Sequence, residues 1–340
     1  MSWSVVGGRW SVNYRESDLY QIIVTKMSVE NKNRIKSFRP PTTTKQSSST
    51  TGRTPLSYKP PTNNNRTPVK ISRPLTTDTR PPLKGTNLQC WKLTLEYDGT
   101  KYHGWQEQIN AKTIQGELRK AAEDLFGGRV ELGGAGRTDA GVHALQQVAH
   151  MKFLRRGEVG VKRSNFKPQE IIYGLNDRLP ADICIVDVSE VHPNFHARHE
   201  ARTRTYMYQI STRKTAFDKK QVWWIKDKLD VAAMSKCAKL LVGRHDFSAF
   251  RKQDHARPDE STIVAVDAAE VILDNHLIIF RITASHFLWN MVRRLMGALV
   301  EVGRHTVSVE DFEKLLTNDS REMNALTAPP SGLFLARIEY

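Results

Sequence analysis

Hydrophobic and polar positions change their spacing several times between residues 89 and 340, and each spacing predicts an element. Alternating apolar and polar residues, or short apolar runs bounded by turn residues, predict strands, whereas apolar residues three and four apart predict helices. The predicted strands cover 91–98, 130–132, 146–153, 183–191, 205–212, 262–272, 277–287 and 332–340. The predicted helices cover 113–126, 168–179, 229–243 and 287–303.

Local signals mark several of these boundaries. Thr113 is a suitable N-cap, Pro168 lies near a helix start, and Gly303 is a stop signal. Asp98-Gly99 and Asp274-Asn275 predict turns. Strands with intervening helices recur twice without the strict alternation of a doubly wound sheet. We therefore predict an α+β fold in which two similar halves, residues 89–204 and 205–340, share a mostly antiparallel sheet.

Residues 1–88 differ from this pattern. The stretch 28–88 is rich in Ser, Thr, Pro and Asn and poor in apolar clusters, which predicts disorder. It is either a basic arm that raises affinity for a polyanion or a solvated tail without a specific role. The apolar run 19–27 is too short for a secretory signal, and the acidic Glu16 and Asp18 argue against a transit peptide.

The charge of the chain is concentrated in this extension. The net charge is +15, which favours a polyanionic partner. Residues 1–88 carry 15 lysines and arginines against 4 aspartates and glutamates, which leaves 36 against 32, a net of +4, for residues 89–340. Nucleic-acid binding by the folded part would therefore depend on local patches.

Cysteine spacing and hydropathy restrict the class of protein further. Cys90, Cys184 and Cys237 are far apart and form no C-x-x-C pair, which predicts a reducing compartment without a disulfide framework or zinc site. The sequence has no run of 18 apolar residues, so we expect no membrane span. The cytoplasm is the default location, and the extension leaves an organelle as the alternative.

The most unusual local composition is GGAGRTDAGVHA, residues 133–144, in which Arg137 and Asp139 stand among small residues. It matches neither the dinucleotide-binding, the P-loop nor the nucleophile-elbow motif. Gly141 and the flanking strands predict a loop, into which a ligand can approach closely. Arg137 would favour an ionised Asp139, which could act as a nucleophile. Alternatively, Asp139 forms an Asx-turn and Arg137 is solvated.

Six segments together carry a resemblance to a known family. AGRTDAGVHA (135–144) resembles the signature of the TruA-type tRNA pseudouridine synthases. Further blocks resemble that family in order and spacing: 95–106, 194–210, 245–250, 286–303 and 329–335. The resemblance covers residues 91–340 and leaves residues 1–88 unexplained. It implies two ferredoxin-like halves with the active-site cleft between them.

The resemblance implies that the chain isomerises uridine to pseudouridine in tRNA, without a cofactor or metal. It implies a target on the 3′ side of the anticodon stem-loop, at tRNA positions 38 to 40, and a homodimer. Asp139 would be the nucleophile, attacking C1′ or the uracil ring or assisting glycal formation. Arg137 would hold the flipped-out base conformation.

Three further residues match functional positions of the family. Tyr206 would stack on the uracil or accept the C5 proton, although it and Tyr208 could equally be ordinary strand residues. Arg293 lies in a strongly apolar helix and needs a partner, for which Asp139 is the candidate; otherwise it snorkels to water. Leu333 would line the base pocket or belong to the core.

The RNA-binding surface is harder to place. Lys101 and Tyr102, with His103, mix cations with an aromatic ring as RNA contacts require. Arg198 and Arg204 lie in a second basic cluster. Solvated charged faces would explain all of these residues as well. The other cations near these clusters are Lys152, Arg155, Arg156 and Arg202. We assign no metal to the histidines His192, His196 and His199.

Two other functions are compatible with the sequence. A non-catalytic RNA-binding protein or tRNA chaperone could use the same fold. A metal-assisted hydrolase could use the histidines, in which case a chelator would abolish its activity. Replacing Asp139 separates the first alternative from an isomerase.

Overall fold

The computed structural model describes residues 4–6, 9–11, 83, 88–154, 166–253, 261–316 and 327–340. The chain divides into two compact units, residues 1–69 and 70–340. In the first unit, strands β1 (Ser4–Val6) and β2 (Arg9–Ser11) form an antiparallel pair that the sequence pattern did not predict. The prediction of disorder for 28–88 falls almost wholly outside the described residues, as does the apolar run 19–27.

The first half of the core follows the order strand, helix, strand, strand, helix, strand. Alternating burial along the first strand shows that one of its faces packs in the interior. Thr113 caps the first helix as predicted, because its side chain accepts a hydrogen bond from the Gly116 amide. The elements are β3 (Leu88–Tyr97), α1 (Ile114–Phe126), β4 (Glu131–Gly134), β5 (His143–Leu154), α2 (Pro168–Asn176) and β6 (Ile183–Val191).

The second half repeats that order with additional short elements. Asp230 caps its first helix, and the Asp274-Asn275 turn joins two long strands as predicted. The elements are β7 (Thr203–Ser211), β8 (Trp223–Trp224), α3 (Val231–Leu240), β9 (Gly243–Asp246), β10 (Ile263–Asp274), β11 (Leu277–Ala284), α4 (Met291–Gly303), α5 (Val309–Lys314) and β12 (Leu333–Glu339).

One sheet joins both halves. Its strand order is β6-β3-β5-β12-β7-β11-β10-β9, and β4 and β8 pair with β5 and β7 respectively. All pairs are antiparallel except β12 with β5 and β7 with β8. In the first half β3 lies between β6 and β5, and in the second half β7 lies between β12 and β11 in the same way. This repeated arrangement confirms the prediction of two similar halves in a mostly antiparallel sheet. The parallel β5–β12 pair is the seam between the halves.

At this seam, one edge of β5 has two different partners. Its outer part, Ala149 to Lys152, pairs with β4, whereas its first two residues, His143 and Ala144, pair with β12. The chain leaves β4 where that pairing ends and re-enters the sheet where the pairing with β12 begins. The connection between them, residues 135–142, therefore lies at the junction of the halves. It contains Arg137 and Asp139.

Several predicted boundaries are wrong. The first strand, predicted for 91–98, spans Leu88–Tyr97. The helices predicted for 168–179 and 229–243 span only 168–176 and 231–240, and Gly243 begins β9 instead of ending a helix. The helix predicted for 287–303 starts at Met291, so the four preceding residues form a loop.

The apolar helix α4 is almost wholly buried and packs against α3, while α2 packs on β6 and α3 on β10. Within the part of the chain that the structure describes, no helix combines the length and apolarity needed to cross a membrane.

Candidate active site

A cavity of about 330 Å³ opens beside the seam, within the size range of small-ligand sites. Its walls come from the 135–142 connection, β7, β12 and the loop that precedes α4. Among the described residues that line it, Asp139 is the one carboxylate, alongside four arginines. The arginines are Arg137, Arg198, Arg204 and Arg293.

The loop that carries Asp139 is held by hydrogen bonds on both sides. The buried Thr138 pairs its hydroxyl with that of Tyr97 at 2.8 Å, and its carbonyl accepts from the Trp105 amide at 3.0 Å. Gln147 donates to the Gly136 carbonyl at 3.0 Å. The predicted loop conformation is confirmed, and the loop is a fixed platform for the carboxylate.

Gly104 allows the chain to pass close beside this loop. Its φ of +88° is left-handed, and a Cβ at this position would lie 2.5 Å from the Thr138 carbonyl oxygen. Gly141, with φ of +78°, turns the chain towards β5 while its amide donates to Tyr102. Both positions combine left-handed backbone with close packing, which favours glycine.

The two carboxylate oxygens of Asp139 have different partners. The indole Nε1 of Trp289 donates to Oδ1 at 3.2 Å, and the Nη1 of Arg293 lies 3.5 Å from Oδ2. Arg293 also donates to the Ala328 carbonyl at 2.7 Å. The predicted pairing of Arg293 with Asp139 is therefore present, and the alternative in which Arg293 snorkels to water is wrong.

Burial raises the pKa of Asp139, and the charges of Arg293 and Lys252 and the indole hydrogen bond oppose that rise. The cation paired with the carboxylate is Arg293, whereas Arg137, which the sequence predicts to favour the ionised form, is exposed at the cavity wall.

Tyr206 and Leu333 both line the cavity. The Tyr206 ring packs edge-on against Phe287, with ring centroids 4.9 Å apart. Burial strongly raises the pKa of the Tyr206 phenol. The phenol therefore stays protonated and is a poor base in this environment. Tyr208, on the same strand face, donates to the Pro329 carbonyl at 2.7 Å and is a structural residue.

Arg204 lines the cavity but is committed to the protein backbone. Its two terminal nitrogens donate to the carbonyls of four residues: Ala135, Arg198, Ala201 and Ser285. These hydrogen bonds link β7 to the Asp139 loop, and a substrate contact by Arg204 stays a prediction. Arg198 is exposed in the wall, where its side chain can meet a ligand.

Lys101 and Tyr102 do not line the cavity. Tyr102 is buried, with only 3% of its surface exposed, and Lys112 covers its ring at 5.0 Å from the centroid. It therefore cannot stack on RNA as predicted, because its ring is part of the core. Lys101 pairs with Asp182 at 3.1 Å, whereas His103 reaches the cavity.

Four histidines outside the cavity lining contact other residues of the protein: His143, His150, His196 and His199. His143 accepts a hydrogen bond from the Gly99 amide at 3.2 Å, and its ring stacks on Phe334. The rings of His150, His196 and His199 follow one another at 4.6 and 4.1 Å between centroids. Burial lowers the pKa of His150 to about 3. Among the residues that the structure describes, no three His, Cys, Asp or Glu side chains form a group that could hold a metal.

The sequence pattern missed the loop before α4. Trp289 and Asn290 were assigned to the helix, yet Trp289 contacts Asp139 and Asn290 has a left-handed φ of 62°. Asn is among the residues that tolerate this conformation and begin helices, so it was an available signal for the true start. Lys252, over the indole ring at 4.4 Å from its centroid, was missed as well.

The fold and the site together define an enzyme that presents a carboxylate within an arginine-lined cavity. The family model described as tRNA pseudouridine synthase matches residues 94–200 and 237–340, one stretch in each half. The chain therefore belongs to the tRNA pseudouridine synthase family, which is a family of isomerases.

Three relatives, each named tRNA pseudouridine synthase A, show the extent of the similarity. The protein of Acetivibrio thermocellus is 38% identical over 252 residues, covering 73% of this chain and 98% of its own. That of Sinorhizobium fredii is 37% identical over 255 residues, covering 74% and 99%. That of Nitrobacter winogradskyi is 39% identical over 254 residues, covering 74% and 95%.

Proposed function

We propose that the chain converts uridine to pseudouridine in tRNA and that Asp139 is its nucleophile. The observation that carries the proposal is the Asp139 carboxylate, held by an indole and a guanidinium in the wall of a ligand-sized cavity. Family membership supports the reaction, and the names of the relatives support tRNA as the substrate.

The reaction breaks the bond from C1′ to N1 of the uridine and forms a bond from C1′ to C5. The C5 proton leaves and N1 gains a proton, so the composition of the nucleoside is unchanged. Asp139 either attacks C1′, attacks the uracil ring, or assists formation of a glycal. Every route begins with an ionised carboxylate, for which Arg293 supplies the neighbouring positive charge.

The substrate base has to leave its stack to reach the cavity. Arg137 is exposed at the wall and is only two residues from Asp139, a position suited to filling the vacated space or binding a phosphate. Tyr206 and Leu333 provide apolar surfaces against which the uracil ring can lie. Arg198 is the remaining exposed arginine for a phosphate contact.

The proposed target is the 3′ side of the anticodon stem-loop, at tRNA positions 38 to 40, and the proposed assembly is a homodimer. Both rest on the resemblance of the sequence blocks to TruA-type enzymes. Pseudouridine mapping of tRNA from cells with and without the protein tests the target. Light scattering of the purified chain tests the dimer. Its three free cysteines suit a reducing compartment, and we propose the cytoplasm.

The deciding experiment measures tritium release from a tRNA transcript labelled with tritium at uridine C5. We expect Asp139→Asn to abolish release while tRNA binding survives, and the matched change Asp177→Asn, at an exposed position, to leave release intact. Activity that persisted in Asp139→Asn would refute the proposed nucleophile. Binding without release by the unaltered protein would instead favour an RNA-binding protein, and loss of release with a chelator would favour the metal-assisted alternative.

A further inference from the structure

Trp289 lies in the six-residue connection between β11 and α4, and its side chain reaches across the cavity to the other half. Its indole N–H donates to Asp139 Oδ1 at 3.2 Å, opposite the Arg293 guanidinium on Oδ2. The contact links residues 150 positions apart in the chain. None of the sequence blocks alone identifies it.

We propose that Trp289 is a positioning residue that fixes the orientation of the Asp139 carboxylate, and that Lys252 holds the indole in place from its face. This inference rests on the proposed role of Asp139.

A carboxylate on a short side chain rotates easily, because the terminal torsion of Asp has broad, shallow minima. Donors on both oxygens restrict that rotation more than the arginine alone. Each oxygen accepts more than one hydrogen bond, so both retain lone pairs for reaction. A nucleophile held in one orientation gains rate because less freedom is lost in the transition state.

Two contacts from Lys252 fix Trp289 in turn. Its ammonium lies 4.4 Å from the centroid of the indole ring, within the range of cation–π attraction. Its backbone amide donates to the Trp289 carbonyl at 2.8 Å. The buried Arg294 donates to the carbonyl of Arg251, which holds the segment that carries Lys252 against α4.

Lys252 also contributes charge, because its ammonium and the indole N–H both oppose the rise in the pKa of Asp139. The full set of ionisable groups around the carboxylate has to be considered in any pH experiment. On the described residues these are Arg293, Lys252 and Tyr206, with His103, Arg137, Arg198, Arg204 and His286 further along the cavity wall.

The test is the pH profile of single-turnover tritium release at saturating tRNA for Trp289→Phe, which keeps an aromatic ring and loses the N–H. We expect a rate roughly 10- to 100-fold lower, since a hydrogen bond to a charged group is lost. We also expect the acidic limb to move up by about one pH unit, because the carboxylate loses a donor that favours ionisation. Lys252→Gln should move the limb in the same direction by less.

The chain provides a matched control pair. Lys214 lies over the Trp224 ring at 5.9 Å from its centroid, and neither residue lines the cavity. Trp224→Phe and Lys214→Gln should leave both the rate and the acidic limb at the wild-type values. Thermal unfolding of each variant shows whether folded protein has been lost. Such a loss lowers the rate but does not move the acidic limb of the pH profile.

Two results would overturn the inference. One is a Trp289→Phe profile that coincides with that of the wild type. The other is a lower rate with the acidic limb unmoved, which would make Trp289 a structural residue only. Failure of the proposed function is distinguishable from both, because in that case Asp139→Asn itself would retain tritium release.

Discussion

The two halves of the core differ in one equivalent connection, which joins β4 to β5 in the first half and β10 to β11 in the second. In the second half, β10 and β11 are joined by Asn275 and His276 alone, with Asn275 in a left-handed conformation. In the first half, the equivalent connection between β4 and β5 has eight residues, 135–142, and carries Asp139. The same topology thus supports a simple turn in one half and the candidate nucleophile in the other.

The second half contributes elsewhere to the same cavity. Its loop before α4 provides Trp289, and α4 itself provides Arg293. Each half therefore supplies what the other lacks, a carboxylate from one and its two partners from the other. The two halves share a topology but differ in which connection carries the side chains of the site. The repeated fold alone therefore specifies no chemistry.

The largest effect should separate the two connections directly. Asp139→Ala should lower kcat for tritium release by about a thousandfold or more, because no other carboxylate lines the cavity among the described residues. Asn275→Ala, in the equivalent turn, should leave kcat unchanged and lower the free energy of unfolding by about 1 kcal/mol through backbone strain. Comparable losses of kcat in both variants would contradict the division of labour.

Gly104→Ala tests the packing of the connection 135–142 that carries Asp139. The new Cβ would meet the Thr138 carbonyl at 2.5 Å in a left-handed backbone. We expect unfolding by denaturant to show a loss of about 2–3 kcal/mol, together with lower activity. Gly243→Ala is the control in the second half: its φ of +116° is also unfavourable, but the nearest atom is the flexible His245 side chain at 3.2 Å. The Gly243→Ala variant should therefore keep the activity of the wild type.

Arg204 tests the link between β7 and the Asp139 connection. Arg204→Gln removes donors to four backbone carbonyls and should lower the free energy of unfolding by about 2 kcal/mol. The exposed Arg202→Gln, two residues earlier, should leave stability unchanged. If Arg204 instead contacted phosphate, its replacement would reduce the salt dependence of tRNA binding and leave the unfolding midpoint in place.

The smallest effect concerns stability and pH. The pKa of Asp139 is raised in the folded protein, so the protonated carboxyl is favoured there, and stability falls as the pH rises through this folded-state pKa. Asp139→Asn should therefore slightly raise the melting temperature at neutral pH and lose that advantage under acidic conditions. A variant less stable than the wild type at neutral pH would show that the ion pair with Arg293 outweighs burial.

Much of this architecture follows from spacing in the sequence. The alternation of apolar residues predicted the strands, and Gly141 with the strands on both sides predicted a loop around Asp139. The pairing of Arg293 was predictable because a charge in an apolar helix requires a partner. These predictions rest on the local residue pattern or on the energetic cost of burying an unpaired charge, and both can be recognised in the sequence.

Other features depend on packing that no local pattern records. Trp289 and its neighbours continue the apolar run of α4, so the periodicity extended the helix through them. In the sequence, Arg204 looks like any exposed cation. Only the structure shows that it donates hydrogen bonds to four backbone carbonyls. In the sequence, the neighbours of Tyr102 are those of a surface contact. Only the tertiary structure, in which Lys112 covers its ring, shows that Tyr102 belongs to the core. In each case a tertiary contact decided the outcome.

The shared edge of β5 has a consequence for folding. Phe334 pairs with His143 across about 190 residues, and β12 also pairs with β7. Such distant pairing makes closure of the seam slow relative to the pairings within the first half, because contacts between residues far apart in the chain form slowly. Until β12 arrives, β5 and β7 both expose unpaired backbone, which is a template for aggregation. A single seven-residue strand thus supplies Leu333 to the cavity wall and, at the same time, covers edges of β5 and β7 that would otherwise be open to pairing with another chain.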